Sequence, residues 1–197
     1  MNHESVTRQD DPHGDTAEAT RGIHMPDHYP YEIATRTRNL TLIWQPGEGD
    51  APDEFAVDQL GGLLTFHDLE ALRNYCDRNQ CELVEDGGTT LDLDVVRQWA
   101  DNPDRVPDPV SPGLLLEAWN FFEDLSHTLK AAPPLPALGP IHDSAYEKIF
   151  GGETWTIEET TAVRDLLHAG LHLWEQAVHG TPFTRPEAAD RHPHRAV

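Results

Sequence analysis

The period of hydrophobic and polar positions changes near the middle of the chain. In the first half, apolar residues alternate with polar ones in short runs, which is typical of strands with one covered face. In the second half, apolar residues recur every three or four positions, which is typical of amphipathic helices. We therefore predict an α+β domain over residues 31–180, in which a small, mostly antiparallel sheet in the N-terminal half packs against a C-terminal helical half.

The first half predicts two strand regions and a helix. Residues 31–45, YEIATRTRNLTLIWQ, are rich in β-forming residues and end at a Pro-Gly pair, which predicts a strand that is broken near its middle. The run LLTF at residues 63–66 predicts another short strand. A helix is expected over residues 67–80, because Leu72 and Cys76 fall on one side of a helical wheel.

The segment 81–94, CELVEDGGTTLDLD, places leucines and carboxylates in alternation on both sides of two glycines. This pattern predicts a β-hairpin whose turn contains residues that tolerate positive φ and whose carboxylates point outward. The spacing matches neither an EF-hand calcium loop nor a phosphate-binding glycine loop. The carboxylates form either a solvated face or an acidic contact surface. The residues predicted for that surface are Glu82, Glu85, Asp86, Asp92 and Asp94.

Helices are predicted throughout the second half. Asp94 is the predicted N-cap of a helix over residues 95–101. A longer helix over residues 112–130 carries most of its apolar side chains on one arc, with Trp119 at the edge of the arc and Leu116 beyond it. This helix is the best candidate for the centre of the core.

The last helix is predicted from its start signal and its apolar stripe. Thr156 and Glu159 have the spacing of a capping box, in which each residue bonds the backbone N–H of the other. A short helix before it is expected to end near Gly151. The apolar stripe of the last helix consists of Val163, Leu166, Leu167, Gly170, Trp174 and Ala177.

The face opposite that stripe carries the most suggestive group of potential metal ligands in the sequence. It carries His168, His172, Glu175 and His179 at spacings of four, three and four. Histidines one turn apart can bind one zinc ion, with a carboxylate as a further ligand or a base. The motif H-E-x-x-H is absent, and the face also fits an exposed polar surface or a pH-sensitive contact. Zinc is the one cofactor that the sequence suggests.

Charge limits the partners of this protein. The 197 residues hold 35 acidic and 14 basic side chains, for a formal charge of −21. Such a charge repels phosphate backbones and anionic lipids, so we expect no direct binding of nucleic acid and no membrane association. The N-terminus has no apolar signal segment, and the two cysteines, Cys76 and Cys81, are expected to be reduced and packed. We expect a cytoplasmic protein with a disordered tail at residues 1–30 and a flexible one at 181–197.

Function has to be inferred from charge, because the chain contains neither G-x-S-x-G nor a phosphate-binding G-x-x-x-x-G-K-[ST] motif. Residues 67–124 alone hold 14 acidic and 4 basic side chains. We predict an interaction protein that binds and inhibits a basic protein partner, by analogy of charge with immunity proteins, antitoxins and DNA-mimic inhibitors. The alternatives are a metal-dependent enzyme that uses the histidine face and an accessory subunit without activity of its own. Acidity also serves solubility in a salty cytoplasm.

Overall fold

The computed structural model describes residues 27–85, 90–102, 112–131 and 135–179. Within these ranges a four-stranded sheet occupies the N-terminal half and helices fill the C-terminal half, which confirms the predicted α+β class. The predicted tails fall mainly on residues 1–26 and 180–197, outside the described residues. The elements in chain order are β1 Tyr29–Ala34, β2 Asn39–Gln45, β3 Glu54–Phe55, α1 Leu69–Asn79, β4 Thr90–Asp92, α2 Leu93–Asp101, α3 Pro112–Leu129, α4 Pro140–Gly151 and α5 Ile157–His179.

The sheet is mixed, with the strand order β3-β2-β1-β4. β1 and β2 form an antiparallel hairpin, and β2 pairs with β3 in the same sense. The turn that joins β1 to β2 is closed by hydrogen bonds between Thr35 and Arg38, at the break predicted in the first strand region. β4 lies on the other side of β1 and runs parallel to it, so antiparallel pairing predominates but is not the only kind.

The predicted hairpin over residues 81–94 is wrong. β4 pairs with β1 over Glu32–Ala34, and Leu83 forms a separate parallel bridge with His28. Both arms of the segment therefore lie along β1 in the same direction instead of pairing with each other. A two-residue period shows that a strand has one covered face, but it does not say which strand is its neighbour.

Two further boundaries differ from the prediction. β1 starts at Tyr29, two residues before the predicted domain, and Pro30 pairs with Ile43 although proline usually ends a strand. Pro30 lies outside the part of β1 that pairs with β4, and at such a position the missing N–H of proline is tolerated. The run at residues 63–66 is not a strand. Phe66 makes an isolated bridge to Thr41 of β2 and Leu63 makes another to Val57, so this run forms two isolated bridges and no ladder.

α3 is the centre of the core, as predicted. All but one of the apolar residues predicted for its arc are buried; the exception, Leu114, is half-buried. Phe121 stacks on Tyr31 of β1 at 5.5 Å between ring centroids, and Phe55 of β3 meets the rings of both. Full burial of a phenylalanine contributes about 1.5–3 kcal/mol, so this aromatic group holds α3 firmly to the sheet.

The start of α5 has the predicted capping box. Thr156 Oγ1 accepts the N–H of Glu159 at 3.2 Å, and Glu159 Oε2 accepts the N–H of Thr156 at 2.7 Å. The Glu159 carboxylate is 6% exposed and also accepts hydrogen bonds from Lys148 and Ser144 of α4. The hydrogen bonds from Lys148, Thr156 and Ser144, in that order, lower the pKa of Glu159 to about 2. One carboxylate thus begins α5 and fixes α4 beside it.

The apolar stripe of α5 packs against α3. Val163, Leu166, Leu167 and Trp174 are buried, and Ala177 is half-buried. At Gly170 the helices approach so closely that a Cβ atom would lie 2.1 Å from Cγ of Phe122. None of the described helices is long and apolar enough to cross a bilayer.

Candidate functional site

The first part of the predicted acidic surface consists of Glu82, Glu85 and Asp86, and one of these carboxylates is paired with an arginine of the protein. Glu85 forms a two-pronged ion pair with Arg73 of α1, with both N···O distances at 2.5 Å. The hydrogen bond from Arg73 lowers the pKa of Glu85. Glu82 is exposed and has no bonded partner among the described residues. Asp86 lies outside the described residues.

The second part of the predicted acidic surface consists of Asp92 and Asp94, and it lies at the start of α2. Asp92, not Asp94, is the N-cap of α2, because its Oδ1 accepts the N–H groups of Asp94 at 3.0 Å and Val95 at 3.1 Å. The predicted cap was therefore wrong by two residues. α2 starts at Leu93, and the buried side chain of Leu93 continues the buried face of β4. The Asp94 carboxylate accepts the backbone N–H of Arg36.

The described members of the predicted acidic surface belong to two separate stretches along the sheet. Leu83, next to Glu82, bridges His28, and Asp92 pairs with Ala34, six residues farther along the chain. At about 3.3 Å per residue, Leu83 and Asp92 are about 20 Å apart along the sheet, which is two or more Debye lengths at physiological salt. The acidic contact surface stays a prediction.

The histidine face of α5 is exposed, as its position opposite the stripe predicts. His168 lies 3.7 Å from Asp101, and Nε2 of His172 lies 2.8 Å from Nε2 of Gln176. Glu175 forms an ion pair with Arg97 at 2.7 Å, and Nδ1 of His179 lies 2.7 Å from the backbone oxygen of Glu175. Nowhere in the described ranges are three histidine, cysteine or acidic side chains placed to hold one metal ion. The zinc site gains no support from this geometry and stays a prediction.

One cavity draws together residues from both predicted sets. It has a volume of about 800 Å³ and lies between the β1–β2 turn, the start of α2 and the end of α5. Asp94 from the acidic set and Glu175 and His179 from the histidine set all line it. The remaining polar lining includes Arg36, Arg38 and Arg97, none of which the sequence singled out. We name this the arginine cavity.

A second cleft lies between α3 and α4 and has the opposite charge. It has a volume of about 390 Å³ and is lined by two ring systems and three carboxylates, together with one histidine and one leucine. We name it the α3–α4 cleft, and its lining residues are Trp119, Glu123, Leu138, His142, Asp143, Tyr146 and Glu147. No lysine or arginine is found among these lining residues in the described part of the chain.

The ring systems give this cleft its shape. Trp119 of α3 meets Tyr146 of α4 edge to face, with centroids 5.4 Å apart, and Tyr146 then meets Phe150 at the same distance. Trp119 is 2% exposed, and its position at the edge of the predicted arc corresponds to a second contact, which it makes with α4. Nε2 of His142 is buried and has no hydrogen-bond partner among the described residues.

Two neighbouring carboxylates of α3, Glu123 and Asp124, have raised pKa values. Burial raises the pKa of Glu123, although a hydrogen bond from Trp119 opposes the change. Burial also raises the pKa of Asp124 to about 7, against a hydrogen bond from the indole N–H of Trp44, while the negative charges of Asp53 and Glu123 add to the rise. Of the two, only Glu123 lines the α3–α4 cleft, and a perturbed acid in a cleft is typical of functional sites. Their positions on the polar side of the predicted α3 helix were the only signal in the sequence.

The two cysteines are packing residues. Both are free thiols, Cys76 is buried against Leu72 and Ile43, and the backbone N–H of Cys81 bonds the carbonyl of Cys76. Burial, followed by a hydrogen bond with the Cys81 thiol, raises the pKa of Cys76 to about 12. A thiol that stays protonated at neutral pH is a poor nucleophile.

No protein-family model, curated protein or solved structure matches this chain. The function therefore has to be argued from the two cavities and the distribution of charge.

Proposed function

We propose that this chain is an interaction protein that binds a basic protein partner, with the α3–α4 cleft as the contact site for one of the partner's lysine or arginine side chains. The observation that carries the proposal is a cleft that combines aromatic rings with three carboxylates and has no cationic residue in its described lining. A partner whose basic surface is covered in this way loses access to its own anionic ligand. Inhibition is therefore the expected consequence of binding.

The chemistry of the cleft suits a cation. Tyr146 is half-buried, and its ring attracts a guanidinium or ammonium group through its quadrupole, while the buried Trp119 holds that ring in place. Glu123, Asp143 and Glu147 supply acceptors for its N–H donors, and charge-assisted bonds of this kind are about twice as strong as neutral ones. Burial raises the pKa of Glu123, and a cation that enters the cleft would stabilise the charged form of this carboxylate.

The surroundings of the cleft suit a protein partner better than a small cation. Leu138, which lines the cleft, is 49% exposed, and Phe150, which packs against Tyr146 of the cleft, is 69% exposed. An apolar group beside a charged anchor point is typical of the centre of a protein–protein interface. The net charge of −21 would also accelerate the encounter with a basic protein.

Charge reversal tests the proposal with a matched control. Glu147→Lys changes an exposed residue of the cleft, and Glu82→Lys makes the same change in net charge at an exposed residue of the predicted acidic surface. The full-length chain and both variants would be immobilised and exposed to a lysate of the native cell at low and at high salt. A captured basic protein would then be purified, and its Kd for each of the three chains measured.

We expect the Glu147 variant to weaken binding by about tenfold or more, which corresponds to ~1.4 kcal/mol, and the Glu82 variant to weaken it much less. Equal losses in the two variants would mean that only net charge matters, and the cleft would have no specific role. Failure to capture any basic protein in a salt-dependent manner would refute the proposal as a whole.

A further inference from the structure

We infer that the arginine cavity is a binding site for a small amphipathic anion, a carboxylate or a phosphate ester that carries an apolar body. This site is separate from the α3–α4 cleft, and the inference does not depend on the proposed function. It rests on the shape, lining and charge balance of the cavity.

The floor of the cavity is apolar. Leu40, Leu93 and Trp174 are buried core residues that also line the cavity, and Val178 is half-buried beside them. A volume of about 800 Å³ is within the range of small-molecule sites. A ligand with an apolar body would remove this floor from water, which contributes about 25 cal/mol per Å² of apolar surface covered.

The cavity lining holds three arginines against two carboxylates, although acidic side chains far outnumber basic ones in the protein as a whole. Only 14 lysine and arginine side chains occur in the chain, and three of them, Arg36, Arg38 and Arg97, line this one cavity. They come from two elements, the β1–β2 turn and α2, so their meeting depends on the tertiary fold. A need for solubility explains an excess of acidic residues, but it does not explain a group of arginines in one cavity.

Within the described ranges, two of these arginines have no carboxylate partner. Glu175 is bonded to Arg97, and the carboxylate of Asp94 is bonded to the backbone N–H of Arg36 rather than to its guanidinium. Arg38 donates only a long bond of 3.5 Å to the carbonyl of Val178. The guanidinium groups of Arg36 and Arg38 are exposed, and among the described residues neither forms an ion pair.

Guanidinium is suited to small oxyanions. Its planar fork of N–H donors matches carboxylate and phosphate oxygens in a two-pronged geometry. A long polyanion such as nucleic acid or a membrane surface would meet the negative field of the whole molecule, whereas one headgroup lies within about one Debye length of the arginines. The cavity therefore favours a single anionic headgroup joined to an apolar chain or ring.

The test is a titration of the full-length chain with four matched probes. Octanoate and octyl phosphate carry the anionic headgroup and the apolar body, octylamine reverses the charge, and inorganic phosphate lacks the body. Binding would be followed through the indole N–H signal of Trp174 in NMR spectra, assigned with a Trp174→Phe variant. A saturable shift with the two amphipathic anions is expected. The tighter of the two would identify the headgroup as carboxylate or phosphate.

The variants R36Q/R38Q and R78Q locate the site. Arg78 is an exposed arginine of α1 whose Nε donates to the backbone carbonyl of Asn74, so R78Q controls for the loss of one positive charge outside the cavity. The double variant should weaken binding of the amphipathic anions by about tenfold or more, since it removes charge-assisted bonds, and R78Q should leave it nearly unchanged. Melting temperatures of the variants would establish that both are folded.

Three results would overturn the inference. Equal affinity for octylamine would mean that only the apolar floor binds ligands. Unchanged affinity in the double variant would remove the arginines from the site. Absence of any saturable shift with either amphipathic anion would show that the cavity is not a binding site for this class of ligand.

Discussion

Replacement of Gly170 by alanine tests the packing between α3 and α5 directly. In most helix interiors this change is favourable, because alanine has a higher helix propensity than glycine by about 1 kcal/mol. At position 170 the new Cβ would lie 2.1 Å from Cγ and 2.3 Å from Cδ2 of Phe122, far inside the ordinary contact distance of 3.4–4 Å. Phe122 is fully buried, so its ring cannot move into solvent. The expected sign of the change is therefore the reverse of the usual one.

The magnitude follows from two opposing effects. Overpacking of a dense core costs about 1–3 kcal/mol, and a displacement of more than 1 Å places this case at the upper end. After the gain in helix propensity of about 1 kcal/mol is subtracted, Gly170→Ala should lower the free energy of unfolding by about 2 kcal/mol. With an m value of about 2 kcal/mol/M, the urea midpoint should fall by about 1 M.

Urea unfolding followed by circular dichroism provides the measurement. Gly151→Ala is the control, since a Cβ there would meet only the flexible end of Glu153 at 3.4 Å, and its stability should stay the same or rise. In a double variant with Phe122→Leu, the smaller side chain should relieve the clash, so the two changes should cost about 1 kcal/mol less together than their sum. A Gly170 variant as stable as the wild type, or strictly additive changes, would show that the helices are not in close contact here.

Two further predictions concern single carboxylates. The folded-state pKa of Asp124, about 7, lies above its unfolded value of about 3.9, so its contribution to stability is present below pH ~4 and is lost as the pH rises through 7. Asp124→Asn, which keeps an acceptor for Trp44, should therefore gain stability relative to the wild type between pH 5 and pH 8, and a constant difference in urea midpoint would contradict the raised pKa. Asp92→Ala should cost about 1 kcal/mol by removing the N-cap of α2, whereas Asp92→Asn should retain most of the stability, and equal losses in thermal unfolding would argue against capping.

The helices of this protein could be predicted in detail because their signals are local. The arc of α3, the capping box of Thr156 and Glu159, and the stripe of α5 all involve residues within a few turns of one helix. Burial of one helical face needs only the right period, whatever lies against it. The position of Gly170 on the buried stripe was predicted in the same way, but Phe122 as its close neighbour was not.

The sheet and the sites were predicted less well because they depend on pairs of residues far apart in the chain. Nothing local in the segment that holds Leu83 and Leu91 indicates that both lie along β1 and not against each other. Similarly, Arg36 and Arg97 are unremarkable single arginines until the β1–β2 turn and α2 meet at one cavity. Glu85 and Asp92 of the predicted acidic surface have partners within the protein, and such partners cannot be recognised from the sequence because they come from other parts of the fold or depend on where a helix starts.

The sequence by itself determined the α+β class, the positions of the helices, the buried face of each long helix and the strongly negative charge of the molecule. Only the tertiary structure decided which strands pair, which carboxylates are neutralised, and where aromatic rings or arginines gather into a cleft. The physical reason is the range of the interactions. Periodicity and capping act within one segment, whereas strand pairing, ion pairing and cavities arise between segments that the chain order does not connect.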